Sequence, residues 1–337
     1  MRRLLFVPIL VAALYFAWYH ETRVPLRPAG APPLSLVVPP GANAEAIGRE
    51  LASLGLVRHP ALFRLLVHLR GAAGKLRAGE YSLEASLTLE EVVERLVEGE
   101  VVRHDVTFPE GKAIEEMAAL LEAQRKDGRA FLEAARDAAP IRDLDPEAGD
   151  LEGYLFPDTY DMPQRPGATA ALVARMVQRF REVIAPELPL VAEGGLTLRQ
   201  VVTLASLVEL ETARGEERPR IAAVFLNRLR RGMLLQTDPT VIFALRKAGT
   251  YDGNIRKKDL EIESPYNTYR HPGLPPGPIA SPGREALGAV LHPAPVKDLY
   301  FVSRNDGTHH FSETLAEHER AVTRYQRQRQ SGPGGGA

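Results

Sequence analysis

The segment from Thr197 to Arg220, TLRQVVTLASLVELETARGEERPR, fixes a helix whose oily side runs into a carboxyl group. Thr197 and Gln200 have the spacing of a capping box, so the helix starts there and runs to about Gly215. Leu198, Val202 and Ala205 share one face, and the next residue on that stripe is Glu209. Glu211 lies two positions on, roughly 200° around the helix, and points elsewhere. A carboxyl that continues an apolar face loses hydration, which disfavours its charged form and suits a general acid near neutral pH. The same residue at a frayed helix end would simply reach water, and the helix alone leaves both readings open.

The 337 residues suffice for two domains and a sizeable core. Net charge is −1 with acids and bases interspersed, which excludes the clustered basic surface of a nucleic-acid binder. With no cysteine, disulfides and thiolate metal sites are ruled out. The histidines show no metal-binding spacing, and His309 and His310, as neighbours on a strand, face opposite ways. No metal or cofactor is expected.

At the N-terminus, an uncharged apolar run from Leu4 to Tyr19 follows Arg2 and Arg3. As a helix it would span about 24 Å, slightly short of a hydrocarbon core, with Trp18 and Tyr19 suited to the far interface. A cleaved signal peptide is the rival, but the small-residue site Ala29-Gly30-Ala31 lies far downstream and is followed by Pro32. The expectation is a cytoplasmic stub (1–3), a single membrane anchor (4–20) and a proline-rich spacer (21–33) that lifts everything after it off the outer face.

A small α+β module (34–104) follows. Leu34–Val38 and Glu80–Leu83 read as strands, and Asn43–Leu54, Pro60–Leu69 and Thr88–Glu98 as helices. The stretches from Leu36 and from Asp105 share a strand, a proline, a glycine and an amphipathic helix: Pro39 matches Pro109, Gly41 Gly111, Ile47 Met117 and Leu51 Leu121. The second copy opens a mostly helical α+β domain (105–328), ahead of a disordered tail (329–337). Within it, a helix begins at Pro219 and stops at Gly232, Asp238-Pro239 caps another, and Tyr266–Pro282 is too rich in proline and glycine for a regular element. Leu299–Ser303 and His309–Ser312 flank Asn305-Asp306-Gly307 as a hairpin, and a last helix follows Thr314.

Four segments accompany Glu209: LEGYLFPDTY (Glu152, Tyr154, Asp158, Tyr160), LLQTDPTVIF (Gln236, Thr237, Asp238), the loop YNTYRHPGLPPGPIASPG (Asn267, Tyr269) and the His309/His310 pair. Singly, each reads as a turn, a cap, a clamp over the core or a pair of strand residues. Together they supply one acid, amide and hydroxyl donors, and tyrosine faces, the equipment of a sugar-binding groove. A glycosidic bond breaks through an oxocarbenium-like state once a carboxylic acid protonates the leaving oxygen. A second carboxylate could come from Asp238, Glu152 or Asp158, none at a diagnostic spacing.

ASLVELET (Ala205–Thr212), VFLNRL (Val224–Leu229), LQTDPTV (Leu235–Val241), YNTY (Tyr266–Tyr269) and GLPPGPI (Gly273–Ile279) resemble the MltG-type (YceG-like) endolytic murein transglycosylases. EGYLFPDTY, the closing YFV…HHFS…H pattern and RAGEYSL (Arg77–Leu83) match the same family, so the resemblance covers nearly everything after the anchor. It implies a LysM-like module before the catalytic domain, anchorage in the bacterial inner membrane facing outward, and internal cutting of nascent peptidoglycan strands beside the synthases that make them. It also places the catalytic glutamate of the family's VE-x-ET motif on Glu209. That residue would protonate the β-1,4 bond between N-acetylmuramic acid and N-acetylglucosamine, then take the proton of the muramoyl 6-hydroxyl as a 1,6-anhydro end forms. One carboxylate suffices because the nucleophile belongs to the substrate. Gln236, Thr237, Asp238, Asn267, Tyr269, Glu152 and Tyr154 are assigned to substrate positioning. The rival readings are a muramidase using water, with Asp238 or Glu152 as base, and a non-catalytic glycan-binding scaffold. On this reading Glu211, off the stripe, matters far less than Glu209.

Overall fold

The computed structural model describes residues 6–25, 27–28, 30–163 and 166–327. The expected cytoplasmic stub, the first residues of the apolar run and the tail (329–337) lie outside them. Contacts divide the chain into two units at His104/Asp105.

The first unit begins with α1 (Phe6–Arg23). Among the described residues no helix is long and apolar enough to cross a membrane. Val11, Tyr15, Phe16 and Tyr19 are exposed along α1, while Trp18 packs on the unit's core and Thr22 is buried. Glu21 pairs with Arg58 at 3.2 Å and Arg23 with Glu90 at 3.1 Å. The helix therefore continues through the start of the expected spacer, and its last turn rests on the module instead of holding it away.

The module reads β1 (Leu34–Val38), α2 (Ala44–Ser53), α3 (Pro60–Leu69), β2 (Gly79–Leu83) and α4 (Leu89–Glu98). β1 and β2 pair antiparallel with Leu36 opposite Tyr81. Alternation sends Leu36, Val38, Tyr81 and Leu83 inward against Ile47, Leu51, Phe63, Leu66 and Leu96 of the helices. The caps are local: the Asn43 side chain accepts from Ala46 N at 2.9 Å, and Thr88 and Glu91 close a capping box.

The second unit repeats this entry. β3 (Asp105–Thr107) leads through a turn into α5 (Ile114–Ala123), with φ of +75° at Gly111 against +78° at Gly41. Met117 and Leu121 are buried as Ile47 and Leu51 are in the first copy. β3 pairs antiparallel with β4 (Thr159–Asp161). Between them α6 (Gly128–Ala135) packs on α5, and Phe131 stacks on Phe108 at 5.9 Å. α7 (Ala168–Ile184) and α8 (Leu188–Glu193) lead to α9 (Leu198–Glu211), the central helix, in which every residue from Val201 to Val208 is buried. α10 (Arg218–Arg230), α11 (Asp238–Lys247) and α12 (Arg284–Leu291) pack around it. The hairpin β5 (Tyr300–Ser303) and β6 (His309–Ser312) and α13 (Leu315–Val322) complete the unit.

α9 ends at Glu211, earlier than the spacing implies, because Thr212 turns extended (φ −147°, ψ 137°). Asp238 is likewise the first residue of α11, with Thr237 at the cap position.

The turn carrying Glu152 and Tyr154 is pressed onto α9 at Gly153. Its φ is +83°, and a Cβ there would lie 2.5 Å from Pro278 Cβ and 2.9 Å from Val202 Cγ1. Gly153→Ala should lower unfolding stability by on the order of 2–4 kcal/mol, read from the urea midpoint, because backbone conformation and contact oppose it together.

Candidate active site

The two glutamates of VELET leave α9 in different directions and meet different chemistry. The Glu209 side chain is 5% exposed, and both of its oxygens are engaged. Oε1 accepts from Arg218 Nη2 at 2.7 Å and Oε2 from the Gly283 amide at 2.9 Å. Arg218, at the start of α10, also meets Glu285 at 2.6 Å and Glu110 at 3.5 Å. Burial holds the Glu209 carboxyl above its usual range, with the Gly283 N–H and Arg218 opposing and Glu110 and Glu285 adding to the rise. Gly111 closes over this pair, since a Cβ there would lie 3.1 Å from Leu210 Cδ2 and 3.6 Å from Glu209 Cγ.

Among the described residues no cation is in contact with Glu211. Its Oε1 accepts the Thr237 hydroxyl, and burial pushes its carboxyl upward, with Asp238 adding and the Thr237 bond, His309 and Arg228 opposing. Its hydrogen bond comes from a neutral hydroxyl, whereas Glu209 is held by a guanidinium and an amide that favour the ion.

Glu211 also sits among the predicted substrate residues. The Gln236–Asp238 turn is fastened from several sides. Arg228 donates from Nη1 to Leu235 O at 2.7 Å, Thr237 N donates to Thr268 Oγ1 at 3.1 Å, and Thr240 Oγ1 donates to Thr237 O at 2.7 Å. Gln236 is held at φ +51°, a left-handed conformation that costs a non-glycine residue about 1 kcal/mol or more. The result presents exposed Gln236 and Asp238 side chains, with buried Thr237 as their pin. Tyr269 OH donates to Asp238 Oδ1 at 2.6 Å. Burial, aided by that bond, keeps the phenol protonated far beyond neutral pH.

Three predicted substrate residues serve the scaffold instead. Tyr154 is fully buried, and its hydroxyl donates to Asp145 at 2.6 Å, which Arg199 also meets at 2.8 Å. Asn267, also fully buried, donates to Leu260 O and Ile262 O at 2.9 Å each and accepts from Tyr269 N at 3.0 Å, so it shapes the loop that carries Tyr269. Glu152 accepts from Ile114 N at 3.1 Å, capping α5. Asp158 pairs with Arg179 at 3.1 Å. Sequence reading did not single out Arg218, Arg228, Thr240 and Thr268, although each lies inside a segment quoted above. Among the described residues no group of three or more acidic or histidine side chains could hold a metal ion.

A model of the YceG-like family matches residues 36–324. The chain belongs to this family. It is 32% identical to an endolytic murein transglycosylase of Bacillus subtilis over 87% of this chain and 84% of that protein. It is 29% identical to one of Streptococcus pneumoniae, over 96% of this chain and 64% of that longer protein. A solved yceG-like protein of Listeria monocytogenes superposes with a TM-score of 0.59 at 30% identity, covering 86% of this chain and 98% of that one.

Burial pushes the Glu152 carboxyl up to about 8. Its folded value exceeds its unfolded one, so the stability it allows is full in acid and is lost as pH rises toward about 8, at about 1.4 kcal/mol per pH unit. Glu152→Gln should remove that part of the decline, so that denaturant midpoints at about pH 5 and about pH 8 lie closer together than in the unaltered protein.

Proposed function

We propose that this chain is a peptidoglycan lytic transglycosylase in which Glu211 is the general acid and base. The observation that carries the assignment is the meeting of a neutral-prone carboxyl with the Gln236–Asp238 turn and Tyr269, in a chain whose relatives are named endolytic murein transglycosylases. The ion pair with Arg218 is what moves the role from Glu209 to its neighbour in the motif.

In the first step the Glu211 proton passes to the bridging oxygen as the bond from the muramoyl anomeric carbon to that oxygen breaks. The charge that develops at the anomeric carbon faces the carboxylate just formed. The muramoyl 6-hydroxyl then attacks that carbon and returns its proton to Glu211. A 1,6-anhydro end is left, no water is consumed, and the enzyme is restored. Exposed Gln236 and Asp238 and the Tyr269 ring hold the flanking sugars; Thr237, Asn267 and Thr268 keep those residues in place.

The apolar run from Leu4 to Tyr19 tethers the chain in the bacterial inner membrane with the module (34–104) and the helical domain (105–328) on the outer side, where strands emerge from the synthases and cutting ends their growth. The exposed apolar side chains of α1 support the tether. The strand–helix–helix–strand order of the module supports a LysM-like glycan contact.

Mass spectrometry of products from uncrosslinked glycan strands tests the reaction and its acid together. Wild type should give anhydro-muramoyl ends and Glu211→Gln should give none, a loss of at least about a hundredfold. Glu209→Gln should retain measurable turnover. Inactivity of Glu209→Gln beside an active Glu211→Gln would return the role to Glu209. Reducing ends in place of anhydro ends would make the enzyme a hydrolase, with Asp238 the carboxyl to test as base.

A further inference from the structure

The turn that follows Glu211 is tied to the β5–β6 hairpin by a histidine that the proposed reaction does not use. Glu217, just before α10, accepts from the His309 backbone amide at 2.9 Å through Oε1, and its Oε2 lies 2.6 Å from His309 Nδ1. The two side chains are 14% and 12% exposed. A carboxylate can only accept, so Nδ1 carries the proton. The ring is further fixed edge-on against Phe301 at 5.5 Å. Thr212, the residue after Glu211, donates its hydroxyl to the same Glu217 at 3.4 Å and accepts from Arg214 N at 3.1 Å. Arg214 Nε in turn donates to Gly307 O at 2.7 Å, at the hairpin tip. One carboxylate thus joins the first residue beyond the proposed acid to the first residue of β6.

We propose that His309, gripped by Glu217, is a positioning residue for Glu211: the pair fixes the turn that ends α9 and so sets the direction of the acid. The inference rests on Glu211 being the acid. In that cycle the carboxyl begins neutral, is charged while the anhydro ring closes, and ends neutral. The groups facing it are Asp238 of α11, Tyr269 of the proline-rich loop, Arg228 of α10 and His309 of β6. Burial and Asp238 oppose the charged stage, whereas Arg228 and His309 favour it. Arg228 is committed to carbonyls, Leu299 O at 2.6 Å and Leu235 O at 2.7 Å. His309, through Glu217, holds the backbone that aims the acid.

His309→Asn and Glu217→Gln, made in the full chain and assayed on uncrosslinked glycan strands, test this against pH. Both should lower kcat by about tenfold to a hundredfold with KM little changed, the cost expected of a misplaced catalytic group. In His309→Asn the alkaline limb of kcat should also move to higher pH, because a charge that favoured ionised Glu211 is gone. His310→Asn, on the opposite face of the strand beside Tyr325, should match wild type and serves as the folding control. A His309→Asn enzyme with unchanged kcat and limb overturns the proposal. So does one that loses rate with the limb unmoved, which would mark a purely structural bond. If Glu211→Gln stays active, the acid assignment has failed first; if it is inactive while His309→Asn behaves as wild type, only the positioning role has failed.

Discussion

Everything in the second unit is arranged around one constraint: a helix buried on all sides must find partners for its polar end. α9 has no solvent face over its middle turns, so its last residues deliver two carboxyls into the protein interior. An uncompensated buried charge is too costly to persist, and the fold answers it twice in different ways. Glu209 receives a guanidinium and an amide, both of which favour its charged form. Glu211 receives a hydroxyl and keeps the option of being neutral. The difference in chemistry between two residues so close in sequence follows from which neighbours each one meets.

The first solution acts as a fastening as well as a neutralisation. Arg218 draws together the end of α9, the turn before α5 and the start of α12 through Glu209, Glu110 and Glu285. Gly283 adds its amide to the same carboxylate. Three stretches far apart in the chain are thereby held at the site. In the proposed reaction Glu211 depends on that rigidity, since a proton donor is useful only where its direction is fixed.

The elements were legible because their signals are local. Thr88 with Glu91, Thr197 with Gln200, and the alternation in Leu34–Val38 each need only a few residues to act. The shared turn of the two copies was legible from Pro39/Pro109 and Gly41/Gly111, and their helices bury matching positions. The site was half legible. Helical phase correctly sends Glu209 and Glu211 apart, but phase cannot say that Arg218 waits for one and Thr237 for the other. Tyr154 and Asn267 look like sugar-facing residues until Asp145 and the Leu260 and Ile262 carbonyls are placed beside them. Partners of that kind are set by tertiary packing, which a motif does not record.

The two copies of the strand–turn–helix entry show how differently one piece of backbone can be constrained. At Gly41 no atom lies within 4 Å of where a side chain would begin; at Gly111 the same spot is already closed by Leu210 and Glu209. The first turn is free to drift toward asparagine or aspartate, residues that tolerate its backbone angle. The second is not. Gly111 is therefore the more constrained of the two glycines, because a side chain there would press on Leu210 and Glu209 at the end of α9.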